Sequence, residues 1–274
     1  MSIVNVPEIG VFLPTSTPDP ERPIIGDVAG AARTAERLGL DSVWATDQLV
    51  AAAPILDSTV ALAAAAAVTE RVRLGWGVLI LALRPAPLVA KQVAALQQVS
   101  GNRLILGVGT GNTAHGDGSW RAAGVPVGER AARTDAALEL LPDLIAGKPV
   151  GAYGAPITLA PIAPTPPLVV AGEVRAARQR AVRFGAEWLS LRPELGALER
   201  GIAELRSLAA ELGRPVPAVS LVAPLSTEGA DVTTEQVAAF ADAGVSRLIL
   251  SPTGPDTEGD YAHAAEVRSR LRAR

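Results

Sequence analysis

The 274-residue sequence predicts a single-domain α/β fold over residues 1–274, the (β/α)8 or TIM barrel. Three observations lead there. Short apolar runs alternate with longer amphipathic stretches, and eight such units follow one another. The runs are continuously apolar, as parallel strands covered by helices are. An open doubly wound sheet usually has fewer units and a glycine fingerprint after its first strand. Here the first strand runs into Pro14-Thr-Ser-Thr-Pro-Asp-Pro20 instead.

The first unit is IGVFL (9–13), then a helix over 26–38 with Ile25, Val28, Ala32, Ala35 and Leu38 near helical spacing and Gly39 as its stop. SVWAT (42–46) is the second strand, followed by a helix over 57–68 for which Asp57 is the N-cap. The third is VRLGWGVLI (72–80) with a helix over 86–99, and the fourth is RLILGVG (103–109) with a helix over 129–145. PLVVA (167–171) leads into a helix over 173–184, and EWLSL (187–191) into one over 195–212. AVSLVAPL (218–225) precedes a helix over 235–243, and SRLILS (246–251) precedes the last, over 261–271. Two stretches break the rhythm. One is the Gly/Asn/Asp-rich loop 110–128, on the carboxyl-end face where barrel active sites sit. The other is the proline-rich segment 148–166, read as a hairpin or cover loop that braces the barrel or a dimer.

Composition narrows the function. Hydrophobic residues make up 49% of the chain, enough for a large core without staples, and the absence of cysteine removes disulfides, thiolate metal sites and a cysteine nucleophile. A net charge of −3 and 3% aromatics leave neither a basic field nor stacking platforms for nucleic acid. The start MSIVNVPEIG has no basic stretch followed by an apolar one, and no apolar run reaches the roughly 18 residues of a spanning helix. A cytoplasmic protein without membrane association is expected. With two histidines, one of them His263 in the last helix, no metal site is expected.

The remaining candidates sit at strand ends. Asp47, closing VWATD, either accepts a hydrogen bond from a ligand or caps its own loop. The glycines of Gly75-Trp76-Gly77 mark a bulge, a close backbone approach, or packing that offsets Trp76. GVGTGN (107–112) lacks the third glycine of a dinucleotide fingerprint and reads as a wide turn open to a flat ring or a phosphate. Gly172 at the start of a helix offers a phosphate seat. Glu173 opposes it and Arg175 offsets that charge.

Four stretches carry a resemblance: AERLGLDSVWATDQL, TERVRLGWGVLILALRPAPLVAKQVAALQQVSGNRLILGVGTGN, GVPVGERAARTDAALELL and PPLVVAG. In order and spacing the chain resembles the luciferase-like monooxygenase superfamily of flavin- and deazaflavin-dependent barrels. The resemblance implies an oxidoreductase that uses coenzyme F420 or FMN for hydride transfer to or from a small organic substrate, at the carboxyl ends of the strands. The alternative is a barrel that binds such a ligand without turnover. By the same resemblance Asp47, Gly77, Val78, Ile80, Thr110 and Gly111 contact the cofactor ring, with a cis peptide at Gly77–Val78, while Ala171, Gly172 and Val174 form the phosphate side. Some relatives have a His after the Asp and a Glu after GTG. Here Gln48 and Asn112 stand there, and neither amide transfers a proton at neutral pH. His115 is then the titratable candidate in the glycine loop. A homodimer through the second and third helices is also implied, and the apolar stretch 74–96, with Trp76 and LILAL (79–83), is read as its surface.

Overall fold

Each apolar run that predicts a strand forms one, all pair in parallel, and the two ends of the sheet meet. The structure, a computed structural model, describes residues 6–16, 26–51, 53–114, 116–252 and 256–273. Its strands are β1 (Glu8–Phe12), β2 (Ser42–Ala45), β3 (Arg73–Trp76), β4 (Leu79–Ile80), β5 (Leu104–Gly109), β6 (Leu168–Ala171), β7 (Glu187–Ser190), β8 (Val219–Pro224) and β9 (Val245–Ser251). Its helices are α1 (Val28–Arg37), α2 (Ser58–Ala67), α3 (Ala86–Ser100), α4 (Gly118–Ala122), α5 (Arg130–Ile145), α6 (Arg175–Phe184), α7 (Leu195–Glu211), α8 (Ala230–Ala243) and α9 (Thr257–Arg272). The order β3-β2-β1-β9-β8-β7-β6-β5-β4, with β3 also on β5, closes the ring. The stretch 72–80 is not one continuous strand. A cis Gly77–Val78 bond separates β3 from β4, and both halves lie against β5, so nine segments make eight staves.

Local chemistry explains the helix limits. Asp57 caps α2 through the N–H groups of Thr59 and Val60, as its position predicts. Asp27 does the same for α1 through Gly30, so α1 starts later than the apolar spacing suggests. α8 starts five residues before its predicted beginning at 235: Thr233 and Thr234 return their hydroxyls to the carbonyls of Gly229 and Ala230, a helical use of residues that weaken an apolar period. The proline-rich segment contains an antiparallel bridge between Val150 and Ile157 and then lies along α3. There Gln97 and Gln98 donate to the carbonyls of Pro164 (2.9 Å) and Ile162 (2.8 Å).

Inward-facing positions, two residues apart along each strand, stack in three layers. At the amino ends Arg247 donates to Glu8 (2.8 Å), to Glu187 (2.5 Å) and to Ser220 (3.4 Å), a polar plug. Above it Trp44, Ile105, Val169, Leu189 and Ile249 form a dry centre. Phe12, Val78, Ala171 and Val222 close the top and stay partly exposed. Gly75 makes room for Trp44 rather than Trp76, because a Cβ there would lie 2.3 Å from the Trp44 ring. Trp76 faces outward into the layer between sheet and helices, and residues 79–82 are buried beside it. The apolar excess in 74–83 is therefore spent inside the chain, and it is not the exposed surface the sequence suggests. Among the described residues no helix is long and apolar enough to cross a membrane.

Glu36 ties α1 to the turn before β3, accepting the N–H groups of Glu70 (3.0 Å), Arg71 (2.6 Å) and Val72 (2.9 Å). Partial burial pushes its pKa up, but the three N–H donors and the Arg71 charge outweigh that and hold it below the ordinary value. A carboxyl lowered on folding adds stability above its unfolded pKa and loses it as pH falls through the folded one. Glu36→Gln is expected to melt below the parent at about pH 7, with the gap closing below about pH 4. Paired thermal melts across that range measure it.

Candidate functional site

The carboxyl end of β2 runs through Thr46 into Asp47, whose side chain is only 2% exposed. Its carboxylate accepts both Arg84 Nη atoms at 2.7 Å, the Ile80 N–H at 3.0 Å and the Ser58 hydroxyl at 3.3 Å. Burial alone would lower the Arg84 pKa, but the hydrogen bonds and charge of Asp47, with Asp57 beyond, raise it and keep the guanidinium charged. Of the two roles open to Asp47, the geometry is that of a local anchor. It pins Ile80, just past the cis bond, to the loop after β2. Ile80 itself presents a buried aliphatic side chain where some relatives place a polar group.

The glycines of β5 and its loop are used against neighbours. A Cβ at Gly107 would lie 1.9 Å from the Trp76 carbonyl, and one at Gly109 would lie 2.7 Å from Val78. Gly111, at φ +80°, sits where a Cβ would lie 2.5 Å from the Trp120 ring. Trp120 belongs to α4, inside the loop that the sequence leaves without structure. Ser119 beside it accepts the Val50 N–H at 3.0 Å and stitches α4 to the β2 loop. Together Asp47, Gln48, Val50, Ile80, Asn112, Gly116, Gly118, Ser119 and Trp120 line a pocket of 140 Å³.

Gly77 and Val78 lie beside this pocket in the sequence of the same stave, and Val78 shares the apolar top layer with Ala171. Thr110 and Gly111 are partly exposed at the β5 end. On the far side, Gly172 has φ +140° and its carbonyl accepts the Trp188 indole at 2.9 Å. Glu173 turns away from the helix start and accepts the Leu191 N–H (2.5 Å) and the Ser190 hydroxyl (3.1 Å), leaving no acid in the first turn of α6. Arg175 is committed to Glu204 and Glu211 on α7, and Val174 is exposed. His115 lies outside the described residues. Among those described, no cluster of three or more His, Cys, Asp or Glu is placed to hold a metal ion. A larger groove of 390 Å³, lined by Asp135, Arg180, Arg183 and Arg214 among others, lies among the outer helices and contains no strand-end residue.

A family model for luciferase-like monooxygenases matches residues 7–273. The chain belongs to the luciferase-like monooxygenase family. A relative in Mycobacterium tuberculosis, itself uncharacterised, is 34% identical over 216 residues, which cover 75% of this chain and 72% of the relative. Among solved structures, an F420-dependent secondary alcohol dehydrogenase in complex with an F420–acetone adduct is similar with a TM-score of 0.79 and 18% identity over 95% of this chain and 98% of that one. The EDTA monooxygenase of Chelativorans sp. BNC1 is similar at 0.78 and 17% identity, over 97% and 93%. At these identities the two structures bear on the fold of this family member.

Sequence reasoning misses Arg84, Ser119 and Trp120. Arg84-Pro85 directly before a helix, and a lone Trp in a Gly/Asp/Ser-rich loop, are the signals that point to them. Removing Arg84 leaves a buried, uncompensated carboxylate, which costs about 3–5 kcal/mol. Arg84→Ala is expected to lose stability on that scale in urea unfolding, and the Arg84→Ala/Asp47→Ala double variant to regain much of it.

Proposed function

We propose that this family member is an F420- or FMN-dependent oxidoreductase that transfers hydride to or from a small organic substrate. The observation that carries this reading is the apolar floor of Phe12, Val78, Ala171 and Val222 at the carboxyl mouth, bordered by the polar pocket of Gln48, Asn112 and Trp120. A flat ring buries one face on such a floor and presents the other to a substrate. The floor fits the ring end of either cofactor, and the first turn of α6, free of acidic side chains, fits an anionic tail. When bound, the cofactor supplies the hydride-carrying ring, while the protein positions it.

The chain's own residues then divide the work. Gly77, Val78, Ile80, Thr110 and Gly111 border the ring, with Ile80 held in place by Asp47. Ala171, Gly172 and Val174 border the tail. Gln48 and Asn112 orient the substrate by hydrogen bonds, and His115 supplies or takes the proton. A second reading, binding without turnover, is favoured by one observation: the carboxylate in the described pocket wall, Asp47, is already paired with Arg84. Titration of the purified protein with FMN and with F420, followed by absorbance and fluorescence, tests the cofactor assignment. Saturable binding of one of them is expected, and binding of neither defeats it. On a verified substrate, His115→Ala is expected to lower turnover at least about tenfold while leaving cofactor affinity within about threefold. An unchanged rate assigns the proton elsewhere.

We also propose a homodimer through α2 and α3. On α2 the outward positions Val60, Ala64 and Ala67 are apolar and exposed at helical spacing, and Leu88 and Val99 are exposed on α3, which packs beside it. Burial of more than about 1,000 Å² is expected. A dimer mass by light scattering supports the assignment, and a concentration-independent monomer mass contradicts it.

A further inference from the structure

The 390 Å³ groove among the outer helices lies within the roughly 300–1,000 Å³ of sites that take a small ligand. None of its lining residues belongs to the barrel mouth or to α2 and α3, so it stands apart from the oxidoreductase reading and from the proposed dimer. Ala176 and Arg183 are exposed on α6, and the Arg180 side chain between them is only 8% exposed. Asp135 comes from α5, while Leu212 and Arg214 follow the end of α7. Arg180 gives Nε and Nη2 to Asp135 (2.5 and 3.2 Å), which leaves Nη1 unused. Arg183 gives Nη2 to Glu139 and stacks on Phe184, 4.9 Å from the ring centroid, which leaves Nε and Nη1 unused. Arg214 has no side-chain partner among the described residues. Glu211, next to Leu212 in the chain, is taken by Arg175 and Ser207. The three guanidiniums thus exceed the two carboxylates that face them, Asp135 and Glu139, by one charge.

A cation or a neutral ligand leaves that surplus and those donors unanswered. Guanidinium groups match phosphate oxygens in charge and in geometry, and here they come from two separate elements. A carboxylate offers two oxygens, whereas a phosphate monoester offers three and carries about −1.5 to −2 charges at neutral pH. Ala176 and Leu212, both exposed, add apolar surface for the group that carries the phosphate. We propose that this groove is a second ligand site, for a phosphate monoester on a small apolar organic group. Arg214 and the unused donors of Arg183 hold the phosphate, and Arg180 Nη1 supports it from beneath. The organic body lies on Ala176 and Leu212. Arg183 and Arg214 are exposed, so the anion keeps part of its hydration there and the cost of burying a charge stays low.

Phenyl phosphate, inorganic phosphate and benzoate, each titrated into the full chain by calorimetry, separate the parts of this assignment. Phenyl phosphate is expected to bind saturably, and the other two at least about threefold more weakly, since each lacks either the apolar body or the phosphate. Arg214→Gln, at an exposed position outside every helix, is expected to weaken phenyl phosphate about tenfold, the loss of one charged hydrogen bond. Arg33→Gln, which removes an exposed charge on α1, is expected to leave it within about twofold, because salt screens a distant charge. Leu212→Ser is expected to bring phenyl phosphate down to the level of inorganic phosphate. Absence of saturable phenyl phosphate binding overturns the proposal, as does benzoate or inorganic phosphate binding equally well. An affinity unchanged in Arg214→Gln places the ligand elsewhere, at the barrel mouth for instance, and also overturns it. An equal loss in Arg33→Gln does the same, since it reports a general charge effect. None of these outcomes bears on the titrations with FMN and F420, so the two assignments stand or fall separately.

Discussion

The barrel closes around one side chain. Trp44 points inward from the middle of β2 and fills the axis, its indole N–H donating to Ser42 at 2.9 Å. The strands beside it give way: a Cβ at Gly10 would come within 2.7 Å of the indole nitrogen, and one at Gly75 within 2.3 Å of the ring. Close packing leaves no slack in such a core, so one large residue on one stave requires small residues on both neighbours. Arg247 lies 5.9 Å from the Trp44 ring centroid and carries the polar layer at the amino end. The apolar top layer rests on the other side. The position of the floor at the mouth follows from this filling.

From that floor outward, the site is built by backbone fit. The stave broken between β3 and β4 brings the Trp76 carbonyl and the Val78 side chain against β5, where only glycine leaves room at 107 and 109. Asp47 then holds the Ile80 N–H, and Arg84 holds Asp47. The ion pair is buried and bidentate, the geometry in which losing one partner is most costly. Its effect is to couple the loop after β2, the short strand β4 and the start of α3 into one rigid rim. On the opposite rim Glu173 performs a similar service, tying the β6–α6 turn to the end of β7.

This rigidity has a chemical consequence. The mouth carboxylates Asp47 and Glu173 are used to hold the scaffold, and the polar groups beside Asp47 in the pocket wall are the amides of Gln48 and Asn112, the Ser119 hydroxyl and the Trp120 indole. Neither an amide nor an indole transfers a proton at neutral pH.

The apolar runs, the helix stops and the Asp57 cap were legible in the chain because they are local: a strand's burial on both faces, a helix's period and a glycine's left-handed stop are each written within a few neighbouring residues. The family was legible for a similar reason, since its motifs are contiguous. The candidate site was legible only as a set of strand ends. That Asp47 faces Arg84, that Gly75 accommodates Trp44 rather than Trp76, that Glu173 turns from the helix start to β7, and that Trp120 walls the pocket were decided by tertiary structure. Each joins residues from separate units whose distance in space depends on the closure of the barrel. The sequence by itself determined which elements form and which strand ends the candidate pocket draws on. Only packing decided which polar groups are consumed in holding that end together and which are left to meet a ligand, because a buried hydrogen-bonding group is satisfied by whatever the closed ring brings within about 3 Å of it.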